Sequence, residues 1–321
     1  MWGEAALVHF RTLDTSDDSM GTDTTAFTGV SGAGTTLTLS ITKAVGGNLM
    51  IAYDIDGGTE VGCVKSTDAG ANWAAAATVF EAVNDYVILL PDFQADTQDI
   101  MALFWDKTAD AITLKRFDDD GDAWAEEAIF STMVESGSSS YGQQWSAAVD
   151  RANSRVFVIA WSAQDTLNAD LRFATITASA ITEGTNVVLN SGANQAACGL
   201  ALSTDRETLY AFYGGKSDGS ENPGTSMNVY YKTSTDQGTT WGSETLLTQY
   251  ARDWTHMYVT PTFTGTDFVV MFGGVNVLGP ASAPAFFVNV PLTTPDNAQL
   301  GCVLYILTEP IYYGHPQPSA L

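Results

Sequence analysis

Short runs in which every position is apolar and the last is aromatic recur five times along the chain. They are Met50-Ile51-Ala52-Tyr53, Ala102-Leu103-Phe104-Trp105, Val158-Ile159-Ala160-Trp161, Tyr210-Ala211-Phe212-Tyr213 and Val269-Val270-Met271-Phe272, and each stops at Asp, Ser or Gly. Successive closing aromatics lie 52 to 59 residues apart, a period of the size that marks a repeat architecture. The runs are short and bounded by turn residues, which predicts strands rather than helices. Being apolar at consecutive positions, such a strand must be covered on both faces.

Around each run the pattern reads strand, turn, strand. The first repeat, from about 36 to 81, predicts strands at Leu37–Ile41, Leu49–Tyr53, Val61–Lys65 and Ala77–Phe80. The second predicts Tyr86–Leu90, Ile100–Trp105, Ala111–Phe117 and Glu127–Phe130, and the third Trp145–Val149, Val156–Trp161, Leu171–Thr177 and Val187–Leu189. The fourth predicts Cys198–Leu202, Leu209–Tyr213, Met227–Lys232 and Glu244–Leu247; the fifth predicts His256–Phe263, Phe268–Phe272, Ala285–Val290 and Cys302–Leu307. Ahead of them, residues 5–13 read as one strand, followed by an acidic loop and Phe27–Val30.

Short connections make each repeat an antiparallel meander. Sheets that cover one another face to face around a ring form a β-propeller. The expectation is one all-β domain over residues 1–321, with six blades, or five as the alternative. Residues 1–35 would help close the ring, and 309–321 would form an irregular arm.

Composition narrows the partners. With 37 acidic residues against 13 basic ones the formal net charge is −24, a field that repels nucleic acid and anionic membranes. No apolar run approaches the roughly 18 residues that cross a bilayer, and no signal peptide is expected at the N-terminus. Cys63, Cys198 and Cys302 are odd in number and sit in strand-like runs, which predicts buried thiols rather than a metal site or a disulfide framework.

Three connections between third and fourth strands share a further pattern. Ser66-Thr67-Asp68-Ala69-Gly70-Ala71-Asn72-Trp73 and Ser234-Thr235-Asp236-Gln237-Gly238-Thr239-Thr240-Trp241 agree at their key positions, and Phe117 through Asp119, Gly121 and Trp124 repeat them without the Ser. An Asp at such a turn accepts local N–H bonds, a Gly takes a positive φ, and a Trp folds back onto the sheet. The pattern resembles the Asp box, Ser-x-Asp-x-Gly-x-x-Trp, of the bacterial neuraminidase repeat in sialidase-like propellers, over blades from about 36 to 290. The resemblance implies a structural role for these residues, on the face opposite an active site. The run Asp118, Asp119, Asp120 and Asp122 offers the hard oxygens that Ca²⁺ takes, a solvated turn being the alternative; no other cofactor is implied.

On that resemblance the functional mouth is formed by loops entering first strands and leaving second strands. It would include Asp54, Asp56, Asp85, Tyr86, Asp106, Lys107, Tyr141 to Trp145, Asp165, Lys216 to Glu221 and Arg252 to His256. A sialidase grips its substrate carboxylate with three arginines. Only Arg252 is placed for that, because Arg151, Arg155 and Arg206 fall in opposite turns and Arg116 and Arg172 on third strands. Tyr141, Trp145, Arg252 and Trp254 are the candidates for gripping a glycan or protein partner, the aromatics by stacking, with core packing the alternative for Trp145 and Trp254. No catalytic residue is assigned. The first expectation is therefore a non-catalytic structural or interaction module at a virion or extracellular surface, with the cytoplasm as the alternative place. The second is a glycoside hydrolase, sialidase-related or inverting, acting on neutral sugars through paired carboxylates.

Overall fold

In a computed structural model, the structure describes residues 2–4, 7–14, 16–17, 19–28, 39–55, 60–80, 86–93, 98–106, 111–130, 133, 145–162, 170–177, 180–191, 198–203, 205–221 and 228–247. It also describes the backbone of 254–261, 267–274, 285–291 and 299–303. Every regular element among them is a strand. The chain divides into two compact units, built on Met1–Ala128 and Ile129–Ile311.

The first unit opens with β1 (Trp2–Glu4), β2 (Leu7–Phe10), the small hairpin of β3 (Leu13–Asp14) and β4 (Ser19–Met20), and β5 (Thr24–Thr28). β1, β2 and β5 form a three-stranded sheet. A four-stranded sheet follows, made of β6 (Leu39–Lys43), β7 (Leu49–Ile55), β8 (Glu60–Ser66) and β9 (Ala74–Phe80), and then another, of β10 (Tyr86–Pro91), β11 (Ile100–Asp106), β12 (Ala111–Asp118) and β13 (Ala123–Phe130). The second unit has three four-stranded sheets. They are β14 (Trp145–Asp150), β15 (Arg155–Ser162), β16 (Asp170–Thr177) and β17 (Ala180–Asn190); β18 (Cys198–Leu202), β19 (Leu209–Gly214), β20 (Val229–Ser234) and β21 (Thr245–Leu246); and β22 (Trp254–Pro261), β23 (Asp267–Gly274), β24 (Ala285–Pro291) and β25 (Gln299–Val303). All are antiparallel in sequence order, so the fold is the all-β, β-propeller class that the repeats predict.

The repeated apolar run lies in the second strand of each of the five four-stranded sheets, and in three of them its closing aromatic pairs with the first residue of the first strand. Tyr53 faces Leu39 and Gly62, Trp105 faces Tyr86 and Ile112, and Tyr213 faces Cys198 and Tyr230. Burial explains the composition. Met50 through Tyr53 and all of β19 are enclosed, and hydrophobic clusters join β7 to β10 and β11 in the first unit and β15 to β18 and β19 in the second. At about 25 cal/mol per Å² of apolar surface, closing both faces of these strands is the main driving force for the fold.

Several boundaries differ from the expectation. The predicted strand at 5–13 breaks at Arg11, so that β2 pairs back on β1 and forms the hairpin that the sequence pattern missed. β13 begins at Ala123 rather than Glu127 and takes Trp124 into the strand, because the turn before it closes within Asp118–Asp122. β17 begins at Ala180, much earlier than Val187, its polar stretch being carried by pairing with β16 through two bulged registers. The predicted Cys302–Leu307 strand is seen as Gln299–Val303, and 304–307 lie outside the described residues. Cys63 and Cys198 are free and buried, and burial pushes both thiols up.

Candidate functional site

Antiparallel connectivity sorts the loops of every four-stranded sheet into two ends. The entry to the first strand and the connection from second to third strand share one end; the remaining two turns share the other.

At the turn end, the two complete motifs close in the same way. The Ser66 hydroxyl donates to Asp68 at 2.8 Å and accepts the Gly70 N–H at 2.8 Å, while the Asp68 carboxylate accepts the Asn72 N–H at 2.8 Å and its side-chain amide at 2.7 Å. Ser234 repeats this with Asp236 and Gly238, and Thr240 supplies the N–H and a hydroxyl to Asp236 at 2.9 and 2.6 Å. Trp73 and Trp241 each donate their indole N–H to the glycine carbonyl at 3.1 Å. Ala69 and Gln237 have φ of 60° and 58°, followed by Gly70 and Gly238 at 91° and 88°.

Both glycines also make room for a ring. A Cβ on Gly70 would come within 2.1 Å of the Phe10 ring on β2, and one on Gly238 within 2.1 Å of the Phe173 ring on β16. Each ring meets the motif Trp edge to face, at 5.3 Å and 68° for Phe10–Trp73 and 5.1 Å and 69° for Phe173–Trp241. The turn is thus a latch on the preceding sheet.

The third copy closes differently. Phe117 fills the serine position and is buried, so Asp118 accepts the Gly121 N–H at 3.0 Å and the positive φ falls on Asp122, at 46°. Asp119 turns to the preceding sheet instead, pairing with Lys65 at 2.9 Å. Asp122 accepts the Ala77 N–H at 3.2 Å and Trp124 donates to the Ala77 carbonyl at 3.1 Å, so this loop holds the backbone of β9 from both sides. The carboxylates of Asp118, Asp119 and Asp122 therefore have protein partners, and no metal-binding group of His, Cys, Asp or Glu occurs among the described residues.

These turns set an acid limit on stability. Hydrogen bonds from Asn72, through its side chain and its N–H, and from Ser66 hold Asp68 below the usual carboxylate range; Thr240, by the same two routes, and Ser234 hold Asp236 down to about 2. A carboxyl lowered on folding contributes stability above its unfolded value, near 3.8, and loses it as pH falls through the folded value. The melting temperature should accordingly hold above about pH 4 and fall between there and about pH 2. In a Ser234→Ala, Asp236→Asn variant the fall should be shallower; an unchanged slope would remove these turns as its cause.

At the other end, Trp145 opens β14 and is buried, 1% exposed, the place of a core residue rather than a stacking platform. Trp254 opens β22 with its backbone alone described; Tyr141 and Arg252 lie outside the described residues, as do Asp56, Asp85, Lys107 and Asp165. The segment 216–221 is described, and sequence reasoning missed its partner, Glu244. Glu244 accepts the Tyr213 hydroxyl at 2.9 Å and the Ser217 N–H at 3.1 Å. Glu221 accepts the Tyr230 hydroxyl at 2.9 Å, the Asn228 N–H at 2.6 Å and its amide at 3.0 Å. Gly215, at φ 88°, closes the connection by donating to the Asn228 carbonyl at 2.9 Å. Burial first, then the glutamate charges and hydrogen bonds, push both tyrosine hydroxyls well above the usual phenol range, so they remain donors. Lys216 pairs with Asp218 at 2.6 Å. The signal for Glu244 was register: it lies on the last strand's approach, far in sequence from the loop it holds.

Two third-strand arginines are paired with carboxylates. Arg116 pairs with Asp92 at 2.6 Å and Glu127 at 3.2 Å, and Arg172 with Asp170 at 3.2 Å. Arg206 is exposed in its turn, at φ 63°.

No protein-family model matches the chain, and no curated protein matches it. Its structure is similar to that of an ulvan lyase described as a new family of polysaccharide lyase, with a TM-score of 0.56 and 10% identity over 94% of this chain and 82% of that one. It is also similar to that of a protein of unknown function from Dyadobacter fermentans, with a TM-score of 0.52 and 12% identity over 83% and 79%. An exo-β-1,3-galactanase from Phanerochaete chrysosporium is similar at a TM-score of 0.48 and 11% identity over 82% and 63%. At these identities the likeness is one of fold. No helix among the described residues is long and apolar enough to cross a membrane.

Proposed function

We propose that the protein is a carbohydrate-active propeller that cleaves glycosidic bonds of a neutral polysaccharide at the end where second strands connect to third. The observation that carries this reading is the pair Glu221 and Glu244. Both are held at one connection, Glu244 by the Tyr213 hydroxyl and the Ser217 N–H and Glu221 by the Tyr230 hydroxyl and Asn228. Hydrolysis of a glycoside needs two carboxylates, one to protonate the leaving oxygen and one to activate water or attack. A polysaccharide lyase shares the fold, which supports a polysaccharide ligand and is silent on hydrolysis, and the Ser-x-Asp-x-Gly-x-x-Trp turns resemble those of sialidase-like propellers. A neutral substrate is the choice that charge favours: a net −24 repels anionic chains, and Lys216 at this end is already paired.

The test is a panel of polysaccharides and fluorogenic glycosides, assayed with wild type, Glu221→Gln and Glu244→Gln, with melting curves for each variant. Turnover of at least one neutral substrate is expected, with kcat reduced by on the order of 10²-fold or more in a variant that still melts cooperatively. Binding to a glycan array without turnover would instead make the protein an interaction module for a glycan or protein neighbour.

A further inference from the structure

The connection that carries Glu221 is tied to the sheet before it. β17 ends on Leu189 and Asn190, both buried, and Asn190 pairs with Leu171, which lies in the apolar layer against the sheet of β18 to β21. A buried side-chain amide costs stability unless it is hydrogen-bonded. The Asn190 amide nitrogen donates to the Gly215 carbonyl at 3.3 Å, and because a carbonyl only accepts, the orientation of the amide is set. Beside it Lys232 on β20 donates to the Leu189 carbonyl, so the end of β17 is itself held to the sheet it braces. Gly215 is the first residue after β19. At φ 88° a Cβ there would stand 3.0 Å from the Glu221 carbonyl, so the position takes glycine. From Gly215 the order spreads along two branches. Its N–H donates to the Asn228 carbonyl at 2.9 Å, and Asn228 holds the Glu221 carboxylate with its own N–H and amide at 2.6 and 3.0 Å. Two residues on, the Ser217 N–H holds Glu244 at 3.1 Å, inside a turn that Gly219 closes by donating to the Lys216 carbonyl at 3.0 Å. A shift at Gly215 therefore reaches both carboxylates.

We propose that Asn190 is a positioning residue for Glu221 and Glu244, a role that rests on the reading of that pair as the reacting groups. Its amide fixes the Gly215 carbonyl and so sets where the connection presents the two carboxylates to a glycosidic bond. A carboxylate pair acts only from the right place, and a displacement of about 1 Å can cost on the order of 10²-fold in rate. The site thus draws on two sheets: one carries the carboxylates, and the other indexes them.

The experiment compares three variants of the full chain by kinetics, on the glycoside that the wild type turns over, and by amide hydrogen exchange. Asn190→Leu keeps the bulk and loses the donor, and Asn190→Ala loses both. Ser146→Ala removes a different bond between the same two sheets, the one its hydroxyl accepts from the Leu200 N–H at 3.1 Å. In both Asn190 variants kcat should fall at least about tenfold with KM within about threefold. The amides of Gly215, Ser217 and Asn228 should exchange at least about tenfold faster while those of β14 to β16 keep their protection. Ser146→Ala should leave kcat within about twofold of wild type. An equal loss of kcat in Ser146→Ala would make the effect one of sheet docking and overturn the proposal. So would wild-type kcat in the Asn190 variants, or unchanged exchange at Ser217 and Asn228. A wild type that turns over no glycoside would overturn the reading of the pair, and exchange would still decide whether Asn190 places the connection.

Discussion

Replacing Phe173 by Ala should lower the unfolding free energy by about 3–5 kcal/mol, the cost of emptying a fully buried ring site. The ring is packed against Phe157 at 5.9 Å and Trp241 at 5.1 Å and fills the notch left by Gly238. Gly238→Ala alone should also destabilise, by about 1–3 kcal/mol for backbone strain at φ 88° and a similar amount for the overlap at 2.1 Å. In the Phe173→Ala background the overlap has gone, and only the backbone contribution remains. Urea unfolding of the double-mutant cycle should return a coupling of about 1–3 kcal/mol. Additivity within about 0.5 kcal/mol would mean that the ring and the notch are independent.

The second large effect is at Arg116. Its Nε meets Asp92 at 2.6 Å, and Asp92 is 0% exposed. Arg116→Met would leave that carboxylate enclosed without its cation, a loss of about 3–5 kcal/mol. Adding Asp92→Asn removes the uncompensated charge and should restore most of it. The pair is tied to the middle of β13 through Glu127 at 3.2 Å, so the single variant should also speed hydrogen exchange in β12 and β13. If the double variant proves as unstable as the single one, burial of unpaired charge is not the cause.

The features legible in the sequence are those that obey local rules. Consecutive apolar residues closing on an aromatic identified all five second strands, because burial on both faces leaves no room for alternation. Ser66 and Ser234 identified their turns, since one hydroxyl and one carboxylate satisfy the whole loop within eight residues. The third turn was legible as a turn, but its geometry was not, because that depends on Phe117 being in the core and on Lys65 and Ala77 of another sheet. The Glu244–Tyr213 and Glu221–Tyr230 pairs escaped for the same reason: their partners meet by register between strands, and a glutamate near a strand carries no local mark of it. Arg116 read as a stray third-strand cation, yet its partner Asp92 sits in the turn between β10 and β11, which only pairing brings alongside.

The two halves of the latch belong to different sheets: the ring is carried by one, and the bare glycine by the next. A sheet copied or exchanged as a unit during evolution would arrive with its own notch but depend on its new neighbour for the ring. A crossover between Phe10 and Gly70, or between Phe173 and Gly238, parts ring from notch, and is tolerated only where both parents carry matching halves. One falling between Trp124 and Phe173 inherits each lock, and the hold of the third loop on β9, whole from a single parent, so chimaeras joined there should fold more often.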